Sequence, residues 1–510
     1  MKILSNEEIQ QIEQRTLEAQ NITELDLVER VASAVAEEVK MVCRPDGLLI
    51  VLAGWGNNGA DALESARLLA LDGYKPVVYL FNIGGQRLSP SCDAMRLRLA
   101  ETPAVTFYEV TGAESFKWVE PPSSATVIDG LFGRGLNRTM PRSFQLIAHS
   151  VNQSGAYVIS IDIPSGLMSE WNGASVRNDM MHASLTLSVE FPKLAFMLAE
   201  NAEVVGKWKT IRIGFDTAAI KEAPFTFTYV DRGIVSRMLP RRKEFSSKAD
   251  YGHALLIAGS RGMMGAAVLA ARGALRSGAG KVSVISCADG CDIVQSAAPC
   301  AMFVPTKKND CMTEMPFSNK YDAVGVGCGI GTAEETANAF EKFVKSAQAA
   351  GRRLVIDADA LNIIATRPLI LNFLPALSVI TPHAGEFDRI FGESSSDEER
   401  LRKAIKCAED YMVVIVLKGR YTTVIRPDGQ LMFNSTGTPA MATAGAGDVL
   451  TGLITGLMAT GMRSELAAFV GPYIHGLAGQ IAEQRNGQYG VTANDIADNI
   501  GVAIKQIMGD

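Results

Sequence analysis

The sequence lacks the features of secreted, zinc-bound or membrane-spanning chains. Its 510 residues contain eight cysteines without a Cys-x-x-Cys pair and only five histidines, which disfavours a structural zinc site or a disulfide framework. Apolar runs such as 413–417 are far shorter than the roughly 20 residues of a membrane span. Residues 1–10 are polar and do not resemble a secretory signal. We expect a soluble, cytoplasmic protein with reduced thiols.

The chain also lacks an excess of charge of either sign. Lys+Arg 49 against Asp+Glu 55 gives a net charge of −6, so no basic surface favours nucleic acid or an anionic membrane. Hydrophobic residues are 47% and charged residues 20%, as in folded globular proteins, and the length suits two to four domains. We therefore expect small-molecule substrates, with no nucleic-acid or membrane partner.

Short apolar runs alternate with longer helical patterns, which predicts parallel sheets covered by helices on both faces. The predicted strands are 48–53, 76–81, 126–128, 157–161, 185–189 and 210–213, then 254–257, 281–285, 323–327, 353–356, 378–380 and 413–417. Helices are predicted over 60–71 and 265–277. A charged, proline-containing segment between Asp216 and Tyr251 separates the two series. We predict two α/β domains, residues 1–220 and 221–510.

The first predicted strand leads into Gly54-Trp-Gly-Asn-Asn-Gly-Ala-Asp61. Residues 54–59 satisfy G-x-G-x-x-G, but the next strand ends in Asn82 rather than in the acid that a dinucleotide site requires, which disfavours a redox Rossmann site. The glycines still permit close backbone approach, and the following helix N-terminus favours an anion. A capped βα turn without a ligand is the structural alternative. Asn57, Asn58 and Asp61 form an amide and carboxylate cluster that phosphate binding alone does not require.

Two further predicted strands end in acids. Asp129 opens the glycine-rich turn 130–138, and Asp162 precedes Ile-Pro-Ser-Gly166. Either aspartate alone could be a helix cap or turn residue, but the carboxyl ends of parallel strands meet at one edge of a sheet. Oxygen ligands from Asn58, Asp129 and Ser165 would suit a hard cation.

These motifs resemble the NAD(P)H-hydrate epimerase (YjeF N-terminal) family over roughly residues 1–215, and Phe191-Pro-Lys-Leu194 adds to the resemblance. The resemblance implies that Asp162 acts as general acid/base at the reacting ring and that Asn58, Asp129 and Ser165 bind potassium. It also implies a set of residues that hold the hydrated dinucleotide: Asn57, Asn58, Gly59, Ala60, Asp61, Gly133, Arg134, Gly135, Leu136, Asn137, Arg138, Thr139 and Asp162. The family usually has glycine where this chain has Ala60 and Ala62, and two extra methyl groups could crowd the ligand.

The second half carries polar or glycine-rich turns after its predicted strands. They are Gly259-Ser-Arg-Gly-Met-Met-Gly-Ala-Ala267, Gly325-Val-Gly-Cys-Gly-Ile-Gly331, Asp357-Ala-Asp-Ala-Leu-Asn362, Thr381-Pro-His-Ala-Gly-Glu386 and Lys418-Gly-Arg-Tyr-Thr422. The most specific motif of this half is Thr443-Ala-Gly-Ala-Gly-Asp448, which precedes a helical pattern over 449–460. Consecutive amides at a helix N-terminus form an anion hole for a transferring phosphate, where Asp448 could act on an acceptor hydroxyl. A helix-capping role for Asp448 is the structural alternative.

This combination resembles the ribokinase-like superfamily, and within it the ADP/ATP-dependent NAD(P)H-hydrate dehydratases, over roughly residues 240–505. The resemblance implies that the ring hydroxyl of the hydrate is phosphorylated and the phosphate then eliminated, with Asp448 as base. It implies contacts to the hydrate from Ala266, Gly329, His383 and Asp448. Contacts to the nucleotide would come from Lys418, Gly419, Arg420, Tyr421, Thr422 and Gly447. Magnesium and ADP, in preference to ATP, are the expected cofactor and co-substrate.

Together the motifs predict two three-layer α/β/α domains, an N-terminal Rossmann-like domain and a C-terminal ribokinase-like domain. No motif indicates the oligomeric state, for which a homo-oligomer is our expectation. The leading interpretation is a fused enzyme that epimerises hydrated NADH or NADPH and then dehydrates the S form. A vitamin or small-molecule kinase is the enzymatic alternative. The other alternative is a first domain that binds nucleotide or a partner without catalysis.

Overall fold

The computed structural model describes residues 1–83, 85, 87–112, 120–173, 175–224 and 226–509. Contacts between Cα atoms divide the chain into two units, Met1–Phe225 and Thr226–Asp510. This division falls five residues beyond the boundary at 220 that the sequence predicts, and the functional assignment of each domain remains a prediction.

Most strands of the first unit are separated by helices from its second strand onward. Its elements are β1 (Lys2–Ile3), α1 (Asn6–Gln20), α2 (Glu24–Lys40), β2 (Leu49–Ala53), α3 (Asn57–Leu71), β3 (Val77–Phe81), α4 (Pro90–Ala100), β4 (Thr106–Val110), β5 (Thr126–Gly130), α5 (Arg142–Ser154), β6 (Tyr157–Ile161), β7 (Leu185–Val189), α6 (Ala202–Val205), β8 (Lys207–Ile211) and α7 (Thr217–Glu222). Short 3-10 helices lie at Arg177–Asp179, Leu194–Met197 and Ala199–Asn201.

Seven of these strands form one parallel sheet in the order β4-β3-β2-β5-β6-β7-β8. Alternate residues of β2 enter different cores: Leu49 and Val51 lie in one apolar cluster, Ile50 and Leu52 in the other. The sheet is therefore covered on both faces, as its continuous apolar strands predict. Strand order reverses between β2 and β5, and ligands of such sheets bind at the carboxyl ends beside that reversal.

The second unit is larger and follows the same alternation. Its elements are β9 (Phe227–Tyr229), α8 (Arg232–Met238), β10 (His253–Ile257), α9 (Met264–Arg276), β11 (Lys281–Ser286), α10 (Cys291–Ala297), β12 (Ala301–Pro305), β13 (Ala323–Val326), α11 (Glu334–Ala349), β14 (Leu354–Ile356), α12 (Asp359–Thr366), β15 (Val379–Ile380), α13 (Ala384–Phe391), α14 (Asp397–Asp410), β16 (Val414–Leu417), β17 (Thr423–Ile425), β18 (Leu431–Phe433), α15 (Ala446–Ala459), α16 (Ser464–Asn486) and α17 (Ala493–Met508). Short 3-10 helices lie at Lys248–Tyr251, Ala288–Gly290, Pro368–Phe373 and Pro439–Met441.

Within this unit the strands run in the order β9-β18-β17-β16-β15-β14-β13-β10-β11-β12. The strands from β16 to β12 are parallel, whereas β17 pairs antiparallel with both β16 and β18. The order reverses between β10 and β13, which places the turns after these two strands at the expected ligand edge.

Helix α15 packs closely against α9 because glycines face the contact. A methyl group at Gly452 would lie 1.9 Å from the carbonyl oxygen of Ala270, and one at Gly273 would lie 2.3 Å from that of Val449. Any side chain at either position would push the helices apart. This packing fixes the start of α15, and with it Asp448, above the sheet.

All twelve predicted strands coincide with strands of the structure, apart from a shift of three residues at the start of β8. The edge strands β4 and β12 and the short strands β1, β9, β17 and β18 were not predicted. Helix α3 begins three residues before its predicted start, so Asn57 and Asn58 belong to its first turn. None of the described helices is both long enough and apolar enough to cross a bilayer.

Candidate active sites

The turn from β2 into α3 uses its three glycines differently. A methyl group at Gly54 would lie 1.9 Å from the carbonyl oxygen of Leu131, and one at Gly59 would lie 1.8 Å from that of Gly54. These two glycines are therefore required for packing. Gly56 has no atom within 4 Å of such a methyl group and caps α3 without a side-chain hydrogen bond. The amides of the first turn of α3 are thus free of a side-chain cap and can bind an anion.

A cavity of about 680 Å³ opens beside this turn, within the range of about 300–1,000 Å³ common for small-molecule sites. Its wall includes ten of the residues predicted to hold a dinucleotide: Asn57, Asn58, Asp61, Gly133, Arg134, Gly135, Leu136, Asn137, Arg138 and Asp162. Gly59, Ala60 and Thr139 do not belong to the cavity wall. The predicted convergence of the strand ends is therefore seen for most of the set.

Ala60 and Ala62 have no exposed surface and pack in the apolar core of the first unit. Ala62 lies against Gly130 of β5, where an added methyl group would come within 2.5 Å of the Ala62 Cβ atom. The two methyl groups therefore point into the core rather than into the cavity. The crowding of the ligand that the sequence suggests has no counterpart in this arrangement.

Asp162 follows β6 in a left-handed backbone conformation, with φ of 64°. Few residues other than glycine adopt this conformation, and aspartate is among those that tolerate it best. Its Oδ1 atom accepts from the Val189 amide at 3.0 Å and lies 2.8 Å from Nζ of Lys193. Burial alone would raise the pKa of Asp162, but the charges of Lys193 and Arg134 outweigh it and hold that pKa below its ordinary value.

The pKa values of two other acids in the cavity wall are shifted in the opposite direction. Burial raises the pKa of Asp61 well above its ordinary value, and the charges of Asp162 and Glu13 raise it further. Burial also raises the pKa of Glu13, although Arg134 donates a hydrogen bond to it and opposes the rise. The cavity thus combines a carboxyl group whose pKa is lowered with two whose pKa values are raised, a difference that acid–base chemistry can use.

The predicted potassium ligands meet around the carbonyl group of Phe132. Asn58 Nδ2 donates to the Phe132 oxygen at 3.0 Å, and the Phe132 amide donates to Ser165 Oγ at 2.9 Å. Ser165 Oγ in turn donates to Asp129 Oδ1 at 2.5 Å, and Ser160 Oγ donates to Asp129 Oδ2 at 2.8 Å.

Asp129 has no exposed surface. The described groups that bind it are neutral hydroxyls and amides. A buried carboxylate surrounded by neutral donors is costly without a counter-ion. The amide, hydroxyl, carbonyl and carboxylate oxygens of this cluster therefore fit a hard monovalent cation. Among the described residues no group of three or more acids, histidines or cysteines could hold a metal.

In the second unit, α15 begins with the predicted anion-hole sequence. Gly445 caps the helix in a left-handed conformation with φ of 88°, and no side chain caps the following amides. Asp448 lies in the first turn. Burial raises the pKa of Asp448 to about 6, and Asp357 adds to the rise, whereas Cys328 and Lys418 oppose it. A general base is most effective when its pKa lies near the operating pH, and the pKa of Asp448 meets this condition.

Lys418 and Asp357 form an ion pair beside this helix, in which Asp357 is buried and Lys418 is partly buried. Lys418 Nζ lies 2.8 Å from Asp357 Oδ1, and Thr451 of α15 donates to Asp357 Oδ2 at 2.6 Å. A methyl group at Gly447 would lie 3.6 Å from both Lys418 Nζ and Asp357 Oδ2. The pair therefore places a positive charge next to the uncapped amides, where a phosphate would bind.

The other predicted hydrate contacts lie around the same edge. A methyl group at Gly329 would come within 3.0 Å of the Cβ atom of Ala266, so these two residues are neighbours. His383 caps α13 through Nδ1, which accepts from the amides of Gly385 and Glu386 at 3.1 and 3.3 Å. Its ring is half exposed. His383 thus has a structural role, and its Nε2 atom lies 3.6 Å from Oε2 of Glu386.

The predicted nucleotide segment forms the turn between β16 and β17. Lys418 pairs with His383 through a parallel bridge, which connects the turn to the start of α13. Thr422 Oγ1 donates to the Gly419 carbonyl group at 3.0 Å. The guanidinium group of Arg420 lies 4.8 Å from the ring centre of Tyr421. Arg420 therefore offers a flat, charged surface at the rim of the site.

Several residues of these sites carry no assigned role in the sequence interpretation. Glu13 comes from α1, whose helical pattern gives no hint of a ligand. Lys193, Asp357 and Glu386 lie within quoted motifs, but only the structure brings them to charged neighbours. The carbonyl group of Phe132 is a backbone atom, which no side-chain pattern could indicate.

Two family models match the chain. One, described as YjeF-related protein N-terminus, matches residues 24–195, and the other, described as NAD(P)H-hydrate dehydratase, matches residues 254–501. A solved structure described as ADP/ATP-dependent NAD(P)H-hydrate dehydratase from Bacillus subtilis, co-crystallised with ATP/Mg2+, is 28% identical with a TM-score of 0.47, covering 55% of this chain and 98% of that chain.

Curated relatives cover the whole length. The bifunctional NAD(P)H-hydrate repair enzyme Nnr of Thermofilum pendens is 30% identical over 526 residues, covering 100% of this chain and 97% of that protein. The enzyme of the same name from Coxiella burnetii is 30% identical over 508 residues, covering 98% and 99%. Both resemblances and the fold class drawn from the sequence are confirmed. The chain therefore belongs to the family of bifunctional NAD(P)H-hydrate repair enzymes.

Proposed function

We propose that the chain repairs hydrated NADH and NADPH in two steps at the two sites described above. The first unit interconverts the R and S hydrates, and the second unit dehydrates the S hydrate at the expense of ADP. The observation that carries this proposal is that each unit gathers its family motif at the carboxyl edge beside the strand reversal. Each site has a carboxylate with a shifted pKa and an uncapped helix N-terminus.

In the first unit, the dinucleotide occupies the cavity between α1, α3 and the turn after β5. The amides at the start of α3 and the guanidinium group of Arg134 suit its phosphates. Asp162 acts as general acid/base near C6 of the reduced ring, where configuration changes through proton movement. The remaining hydrate contacts are those of the predicted set that line the cavity.

Potassium is proposed at Asn58, Asp129 and Ser165. When bound, the ion would neutralise the buried charge of Asp129 and stiffen the turn that carries Phe132. Its support is the all-oxygen donor set around a buried carboxylate that lacks a described cationic partner.

In the second unit, Asp448 removes the proton from the ring hydroxyl as its oxygen attacks the terminal phosphorus of ADP. AMP leaves, and the phosphate ester then loses phosphate and a ring proton to give NAD(P)H. The uncapped amides of α15 and the charge of Lys418 hold the transferring phosphate. Ala266, Gly329 and His383 would contact the hydrate, and the turn after β16 would contact the nucleotide.

Magnesium would enter with the nucleotide phosphates. Magnesium keeps several waters and usually binds one or two carboxylates together with substrate phosphates. This agrees with the lack of a three-acid cluster among the described residues. The eight free thiols support the cytoplasm as the compartment, since oxidising compartments favour disulfides. Homo-oligomerisation remains a prediction from the sequence.

The two site assignments can be tested by separating the activities. Asp448→Asn should abolish nucleotide-dependent dehydration and leave epimerisation intact, whereas Asp162→Asn should do the reverse. Separated R and S hydrates, followed by chromatography with and without ADP, distinguish the two reactions. Loss of both activities in either variant would refute the assignment. Accumulation of a stable phosphorylated product would favour a small-molecule kinase instead.

A further inference from the structure

Lys193 lies in the wall of the first-unit cavity and has no part in the chemistry proposed above. It follows β7 and is only 1% exposed. Its ammonium group lies 2.8 Å from Asp162 Oδ1 and donates to Ser188 Oγ at 3.1 Å and to the Phe191 carbonyl at 3.0 Å. A buried ammonium is costly unless it is paired and hydrogen-bonded, so these partners fix its position. Burial lowers the pKa of Lys193, and Asp162 opposes that lowering.

The hydrogen bonds to Asp162 are distributed unevenly over its carboxylate. Lys193 and the Val189 amide both bind Oδ1. Among the described residues, no hydrogen bond ends on Oδ2. One oxygen is therefore held by the protein, and the other is left to a ligand in the cavity.

We propose that Lys193 is a positioning residue for the epimerisation: its ammonium group fixes the Asp162 carboxylate in one orientation and keeps it ionised, so that Oδ2 can accept a proton from the hydrate. This inference rests on the proposed function of the first unit. It assigns Lys193 a role through Asp162 and no contact with the reacting carbon.

The charges around Asp162 single out Lys193 as its direct cationic partner. Lys193 approaches from the segment after β7, Arg134 from the turn after β5, Asp61 from α3 and Glu13 from α1. Arg134 already forms an ion pair with Glu13. Asp61 and Glu13 have raised pKa values in the same cavity, whereas the pKa of Asp162 is lowered. Burial raises the pKa of Asp162 as well, but Lys193 is the largest of the effects that lower it, ahead of Arg134 and the Val189 amide.

A purely structural role would be to attach residues 188–193 to the turn at Asp162. That role predicts variants with lower stability but an unchanged pH dependence. The positioning role predicts a change in pH dependence, because an Asp162 that loses its cation in a buried site becomes harder to ionise.

The test uses the full chain with Lys193→Met and R hydrate in the absence of nucleotide, so that only epimerisation is observed. The rate above the enzyme-free rate is measured between about pH 5 and 8, a range in which an ordinary aspartate stays ionised. In this range we expect kcat of the wild type to show no acidic limb, and kcat of Lys193→Met to show one because its Asp162 becomes harder to ionise. We also expect kcat at neutral pH to fall about tenfold or more, because the carboxylate loses its fixed orientation. Lys207→Met, at an exposed position on β8, is the matched control and should leave the profile unchanged.

A second variant, Lys193→Ala, keeps the inference testable if Lys193→Met does not fold. Lys193→Ala leaves space for a small amine, and propylamine restores the missing methylenes and the charge, whereas 1-propanol restores no charge. We expect propylamine to raise kcat at least about tenfold and to return the pH profile toward that of the wild type, with no effect of 1-propanol. Equal rescue by both compounds, or an unchanged pH profile in Lys193→Met beside an active wild type, would overturn the inference alone. No epimerisation by the wild type would overturn the proposed function and the inference with it.

Discussion

Acidification should stop the dehydration at a pH well above that at which an ordinary aspartate loses its charge. The reason is the environment of Asp448, where burial raises the pKa to about 6. A base must be ionised to accept the proton of the ring hydroxyl, so activity follows the ionised fraction and is lost as the pH falls through this value.

The size of the effect follows from that pKa. At pH 5, one unit below it, about one tenth of Asp448 is ionised, whereas at pH 7 about nine tenths is. The value of kcat/KM, which reports groups of the free enzyme, should therefore fall about tenfold between pH 7 and pH 5. An aspartate with its ordinary pKa would be about nine tenths ionised at pH 5 and would lose almost nothing.

The assay follows the absorbance of the reduced nicotinamide in initial rates with purified S hydrate, ADP and magnesium, after subtraction of the enzyme-free rate. Asp448→Asn should reduce kcat by about 10²-fold or more, the usual contribution of a general base. Asp410→Asn changes an exposed aspartate at the end of α14 and should leave both the rate and the limb unchanged. An acidic limb of the pH profile near the ordinary pKa of aspartate would refute the assignment of Asp448 as the base. So would an active Asp448→Asn variant.

Two further predictions concern the first unit. Ala60→Gly and Ala62→Gly should each lower the free energy of unfolding, measured in urea, by about 1 kcal/mol, because glycine disfavours a helix. Neither variant should raise the epimerisation rate, because neither methyl group reaches the cavity. A gain of activity would restore the crowding hypothesis. Potassium should raise the midpoint of thermal unfolding of the wild type more than sodium does, and Asp129→Asn should remove this difference, since an ion that binds only the folded state stabilises it. An equal response of both proteins would place the ion elsewhere.

Most of the strands that could be predicted are buried on both faces, whereas β8 is a predicted edge strand whose residues alternate between exposed and partly buried. Strand β2 is buried throughout, so the apolar composition of its run is enough to predict a strand. By contrast, β4 alternates exposed and partly buried residues at the sheet edge, and β12 ends in a proline. Strands β17 and β18 have three residues each and gain stability from antiparallel pairing with neighbours. Edge strands and very short strands depend on tertiary context, which a local pattern does not contain.

The candidate sites could likewise be predicted only in part. A motif at a strand end identified Asp162, because chemistry concentrates where parallel strands end. A glycine-rich turn before a helical pattern identified Asp448. The protonation behaviour of both aspartates could not be predicted, since it depends on partners distant in sequence: Lys193 for Asp162, and Asp357 with Lys418 for Asp448. The crowding attributed to Ala60 and Ala62 also could not be judged from sequence, because a motif does not tell which face of the helix meets the core.

The central claim is that one chain carries both repair steps, and a single incubation tests it most directly. The full-length protein is given an equilibrium mixture of R and S hydrates with magnesium, potassium and ADP, and the recovery of reduced nicotinamide is followed to completion. Two active sites predict nucleotide-dependent recovery of all the hydrate, at a rate above spontaneous epimerisation. Recovery that stops at the S fraction would contradict the account, because the first unit would then bind without catalysing.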